Sequence, residues 1–158
     1  MAEHGYDDPR ITAVGLFAEA YTGLAARLAA QVTEHGLALI EFEVLMRLAR
    51  SPQRQLRMSD LAAQTQLTTS GITRVVDRLE RGGFVRRSAC ATDRRSWYTV
   101  ITDAGLCRLA DVLPGHLEVL DRWFTGLLPP DQLDSTLAAL RTIRDAVRPN
   151  AAVVTPHS

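Results

Sequence analysis

Six residues that can hydrogen-bond to a polyanion are gathered on one short stretch: Thr68, Thr69, Ser70, Thr73, Arg74 and Arg78. A second group, Asp93, Arg94 and Arg95, follows in a polar segment between two strand-like runs. Hydroxyls and guanidiniums of this kind suit phosphate oxygens and base edges; Arg also reaches guanine in a bidentate manner. Small hydroxyl residues at a helix start let a backbone approach a groove closely, and the helix N-terminus itself favours a phosphate. Catalytic chemistry is not suggested. There is no Gly-rich phosphate loop, no nucleophile elbow and no carboxylate pair with clear catalytic spacing. Cys90 and Cys107 lack metal-ligand spacing, and His4, His35, His116 and His157 are scattered, so neither a metal nor a cofactor is expected.

Charge supports the same reading. The 158 residues carry 18 basic and 18 acidic side chains, and every basic one is Arg. Residues 47–95 hold 11 Arg and 4 acids, a balance of +7, and the rest holds 7 Arg and 14 acids, a balance of −7. A neutral chain with one basic third is a plausible footprint for a polyanion. Apolar residues make up 46% of the chain, enough for a core, and no apolar run approaches the ~18–20 residues of a membrane span. The polar, acidic N-terminus does not read as a signal peptide. A cytoplasmic protein with no membrane partner is expected.

The elements that must carry these residues follow from periodicity. Ile11, Val14, Phe17, Tyr21, Leu24, Leu28 and Val32 recur in helical steps and stop at Gly36. Phe42, Leu45, Leu48 and Ala49 mark a helix from Leu39 to Arg50, ended by Pro52. A short helix spans Met58 to Thr65, and Thr68 caps another running from Thr69 to Arg81. Ile72, Val75, Val76 and Leu79 face its core side, leaving Thr69, Ser70, Thr73, Arg74 and Arg78 outward. Asp77, four residues before Arg81, is expected to pair with it and leave Arg74 and Arg78 free. The runs Phe84–Arg87 and Trp97–Ile101 form a hairpin with a basic tip. Thr102 and Asp103 cap a long helix, with a kink or break expected at Pro114-Gly115. A last helix opens at Pro129-Pro130-Asp131 with an apolar stripe from Leu133 to Val147. The fold expected is mainly α with a small β-hairpin wing: a winged helix-turn-helix domain plus a helical dimerisation region.

The sequence resembles the MarR family of bacterial regulators. The resemblance rests on Ser59-Asp60-Leu61-Ala62, on the run from Gly71 to Glu80, on Gly83-Phe84-Val85-Arg86-Arg87, on Asp93-Arg94-Arg95-Ser96 and on Ile101-Thr102-Asp103-Ala104-Gly105. It is strong over about residues 37–107. It implies a homodimer whose terminal helices intertwine, and a ligand-responsive repressor reading a palindromic double-stranded DNA operator. Thr68, Thr69, Ser70, Thr73, Arg74 and Arg78 would serve the major groove. Arg95 would enter the minor groove, braced by Asp93, with Arg94 on the backbone. The implied division is 1–36, an N-terminal dimerisation helix; 37–102, the DNA-binding domain; 103–148, C-terminal dimerisation helices; and 149–158, a flexible tail. A small phenolic or anionic effector would sit among Phe17, Tyr21, Phe42, Met46 and Trp123. Arg57 stands where the family usually has a Ser or Thr cap, and Gly71 and Pro114 interrupt helices. A winged-helix interaction module without DNA binding and a cysteine-based redox sensor remain as alternatives.

Overall fold

A computed structural model describes residues 5–90 and 95–151. The helices are α1 (Pro9–Glu34), α2 (Leu39–Ala49), α3 (Met58–Thr65), α4 (Thr69–Arg81), α5 (Asp103–Trp123) and α6 (Pro130–Val147). The strands are β1 (Gln55–Arg57), β2 (Val85–Ala89) and β3 (Trp97–Ile101). They form one antiparallel sheet in the order β1-β3-β2, with Leu56 and Arg87 flanking Thr99 in register. The fold is thus the expected helical one with a small wing. The hairpin is widened by β1, a three-residue strand too short to stand out in the sequence.

The core lies where α2, α3, α4 and the sheet meet. Leu45, Leu48, Leu56, Leu61, Ile72, Val76 and Leu79 are buried there, and Val32 and Val112 bring in α1 and α5. The apolar stripe of α4 read from the sequence is the buried face: Ile72, Val75, Val76 and Leu79. Each buried side chain of this size stabilises by about 1.5–3 kcal/mol, so this stripe fixes which face α4 turns outward. Helix starts follow cap chemistry. The Thr68 Oγ1 accepts the Gly71 N–H at 3.0 Å and the Thr102 Oγ1 accepts the Gly105 N–H at 3.1 Å. The absence of a cap at Arg57 is real, because its side chain makes no capping bond at the start of α3. Gly83, at φ 75, turns the chain out of α4 in a backbone region that other residues enter at a cost.

Two elements differ from expectation. Helix α5 runs unbroken through Pro114. Proline removes the hydrogen bond to the Ala110 carbonyl, but Ala110 is exposed and water can serve that oxygen. Two residues before the proline, the Gln31 Nε2 of α1 donates to the Val112 carbonyl at 3.1 Å, so α1 stitches the helix beside it. Helices α1 and α6 also bury far less than their apolar stripes suggest. Only Gln31 and Val32 of α1 are buried, and nothing in α6 is.

A close approach locks the wing to α5. A Cβ on Gly105 would lie 2.2 Å from the Phe84 carbonyl oxygen, a backbone atom that cannot rotate away. We therefore expect Gly105→Ala to cost about 1–3 kcal/mol, read as a lowered urea midpoint with an unchanged denaturant slope. A midpoint equal to that of the parent chain would show that α5 can slide freely on the wing.

Candidate nucleic-acid interface

Helix α4 supplies the centre of the candidate interface. Its buried stripe leaves Thr69, Ser70, Arg74 and Arg78 exposed and Thr73 half-buried. Thr68 caps the helix and its Oγ1 lies 3.2 Å from the Ser70 Oγ, so the two hydroxyls form one polar knob at the N-terminus. The Thr73 Oγ1 donates to the Thr69 carbonyl at 2.7 Å, which leaves its oxygen lone pairs outward as acceptors. Gly71 has a local reason as well: a Cβ there would meet the Thr68 Oγ1 at 3.2 Å. Arg74 is exposed and has no hydrogen-bond or ionic partner among the described residues.

The other charges of α4 are committed, and not as the sequence suggests. Asp77 does not pair with Arg81. Its Oδ1 takes the Arg87 Nη2 of β2 at 2.6 Å, and Glu80 takes both the Arg87 Nη1 and, at 3.0 Å, the Arg87 backbone N–H. Arg87 is therefore a clamp between the helix and the wing. Arg78 is not free either, since its Nε donates to the Glu41 Oε1 of α2 at 2.7 Å. Glu41 is mostly buried, and its Oε2 accepts the Ala38 N–H at 2.8 Å, closing the start of α2. Sequence spacing favours local pairs on one helix. These partners come from strands and helices that meet only after folding, so nothing in the chain order marks them.

The wing is described only in part. Arg95 is exposed, two residues before β3, whereas Asp93 and Arg94 lie outside the described residues. At its base the Cys90 Sγ contacts the Tyr98 hydroxyl at 3.9 Å, and the Arg57 Nε donates to the same hydroxyl at 3.3 Å. Arg81, two turns along α4 from Arg74, and Arg86 of β2 are also exposed.

Known proteins share this arrangement. Residues 35–96 match the model of the MarR family. The chain is 33% identical over 127 residues to the HTH-type transcriptional regulator YkoM of Bacillus subtilis (strain 168), covering 80% of each protein. It superposes on AbsC, a MarR family transcriptional regulator from Streptomyces coelicolor, with a TM-score of 0.83 and 32% identity, covering 90% of this chain and 96% of that one. The chain belongs to the MarR family. A second MarR structure from Streptomyces coelicolor, Sco3205 in complex with DNA, aligns with a TM-score of 0.83 and 31% identity over 90% of this chain and 93% of that one. Membership makes this a winged helix-turn-helix transcriptional regulator.

A cavity also opens at the junction of the helices. It has a volume of about 510 Å³, lies between α1, α2 and α5, and is lined by Tyr21, Phe42 and Met46, together with His116. Phe17 lies instead on a neighbouring groove between α1 and α6, which Tyr21 also lines. Trp123 borders neither; Arg27 stacks over its ring at 4.1 Å. His116, which scattered histidines do not reveal in the sequence, sits 4.4 Å from the Phe42 ring, and its Nδ1 is buried without a partner among the described residues. Burial pushes its pKa below the ordinary imidazole value of 6.5. The unfolded chain then binds a proton that the folded one refuses. Stability from this source is complete above pH 6.5 and is lost as pH falls from 6.5 through the lower folded value. Urea midpoints should therefore drop more steeply on acidification in the parent than in His116→Gln, and parallel pH profiles would show that His116 is not held neutral.

Proposed function

We propose that this chain is a cytoplasmic, ligand-responsive repressor that binds a palindromic operator as a homodimer. Its work is binding and not catalysis. The observation that carries the reading is Arg74, an unpaired, exposed guanidinium one turn into a helix whose N-terminus carries three hydroxyls. A long cation at that position suits a guanine edge in the major groove, and Thr69, Ser70 and Thr73 suit phosphates or neighbouring bases. Arg95 would reach the minor groove beside it, where a narrow groove concentrates negative potential. In this reading Asp93 orients it, Arg94 meets the backbone and Arg78 adds its remaining N–H groups. The DNA complex of the related Sco3205 supports the same partner.

Homodimerisation is supported by what the single chain leaves bare. Ile11, Val14, Phe17 and Tyr21 of α1 and Ile143 and Val147 of α6 are all more than half exposed. An apolar expanse of this kind marks an interaction surface, and a two-fold pairing through it would present two α4 helices to two half-sites. Residues 1–36 and 103–148 would then form the dimerisation region, 37–102 the DNA-binding domain, and 149–158 a tail. The cavity at Tyr21, Phe42 and Met46 suits a small phenolic effector, because the lone His116 Nδ1 would accept a hydrogen bond from its hydroxyl; Phe17, on the neighbouring groove, and Trp123, which borders neither, would act only at a distance.

A duplex from the region upstream of its own gene, titrated at several salt concentrations, tests the assignment. Arg74→Ala should cost about 1–3 kcal/mol and relax preference at one base pair, and Arg95→Ala should reduce the slope of log K against log salt by about 0.9. No binding even at low salt would favour a protein-interaction module. Removing residues 130–158 should leave a monomer or an insoluble chain in sedimentation experiments, and a soluble DNA-binding dimer after that deletion would refute the dimer assignment.

A further inference from the structure

A second cavity, of about 530 Å³, adjoins the first along α2, where Arg148 at the end of α6 meets Gln64 at the end of α3. Its charge is lopsided. Arg47, Arg50, Arg144 and Arg148 line it against one carboxylate, Glu43. Asp145 stands next to Arg144 and pairs with it at 2.7 Å, but it does not line the cavity. Cations brought together without matching acids repel, and the arrangement is relieved by an anion.

The lining is also built and not merely crowded. Arg47 is held in place by Glu43 at 2.7 Å, by the Gln64 Oε1 at 3.2 Å and by the Ala151 carbonyl at 3.2 Å. Gln64 is 95% buried, with a relative exposure of 5%, and its backbone carbonyl accepts the Arg148 Nη2 at 2.8 Å. The Arg148 side chain makes only that one bond among those described, so its other guanidinium N–H donors are open. Arg50 is exposed and has no partner among the described residues. Two oriented guanidiniums, a third leaning on its own neighbour and a fourth unengaged converge on one concavity.

We propose that this cavity is a binding site for a compact polyanion, a di- or tricarboxylate or a phosphate ester, separate from the DNA face and adjoining the apolar cavity at His116, with which it shares Glu43, Met46 and Arg50. Guanidiniums bind carboxylate and phosphate oxygens through charge-assisted bonds, and several acting together favour a ligand with more than one negative charge. The site joins α6 to α3, the first helix of the helix-turn-helix. A bound anion would draw Arg144 and Arg148 toward Arg47 and Arg50, and so fix the end of α6 on the DNA-reading unit.

Calorimetric titration of the full chain, without DNA, with citrate and separately with inorganic pyrophosphate tests this at constant ionic strength set with chloride. Leaving DNA out keeps the outcome independent of operator recognition. One saturable ion per chain is expected, with citrate alone pointing to carboxylates, pyrophosphate alone to phosphates, and both to the shared polyanion chemistry. Arg50→Gln and Arg144→Gln should each weaken binding about tenfold or more. Arg50→Gln removes no bond of the described fold, so its urea midpoint should match the parent and exclude misfolding as the cause. Arg74→Gln should leave anion binding unchanged. Absence of saturable binding, as when an acidic segment of a second copy already fills the cavity, overturns the proposal. So does an equal loss in Arg74→Gln, which would move the ion to the face of α4.

Discussion

The wing, α4 and α5 all meet at the carbonyl of Phe84. The Thr102 N–H donates to that oxygen at 3.0 Å, Gly105 packs against it with no room for a Cβ, and the Phe84 N–H closes onto the Leu79 carbonyl of α4 at 2.9 Å. The Thr102 hydroxyl completes the junction by donating to the Gly83 carbonyl at 2.6 Å while it caps α5. The angle between the outward face of α4 and the strands of the wing is set here, by backbone contacts with little freedom to adjust. The path of α5 away from the sheet is set by the same atoms, so the outward face of α4 and the helices that follow the wing share one reference point.

Around that junction, charge is sorted by its partners. The two carboxylates of α4, Asp77 and Glu80, are occupied by Arg87, and Glu41 occupies the Nε of Arg78. Arg74, Arg81 and Arg86 remain without partners among the described residues. A chain of zero net charge can thus present a cationic face, because its acids are spent inside the scaffold or lie on other elements. The exposed pairs contribute little to stability, since solvent screens them. Their effect is on orientation and on the local potential.

Much of this was legible in the sequence because it depends on short-range patterns. The 3.6-residue stripe of α4, the Thr68 and Thr102 caps and the Gly83 stop are local signals, and all recur in the structure. The motif from Gly71 to Arg87 carried the family. What escaped was non-local. Strand β1 exists because β3 offers it an edge, not because Gln55-Leu56-Arg57 prefers extension. The Pro114 rule failed to stop α5 because Ala110 faces water and Gln31 reaches across from α1. Arg87 and Arg78 found acids on other elements, so the helix-spacing rule assigned Asp77 the wrong partner. The cavity beside His116 combines three helices, none of which advertises it alone.

Glu41 also links two parts of the chain that lie far apart in sequence. One carboxylate oxygen meets the Ala38 N–H, three residues away, and the other meets Arg78, 37 residues away. The first contact needs only a helical turn and can form on the sub-microsecond scale of helix growth, whereas the second must wait for a long loop to close. Because the Ala38 N–H holds one oxygen of the carboxylate, the Arg78 contact costs less side-chain freedom than a freely rotating pair would.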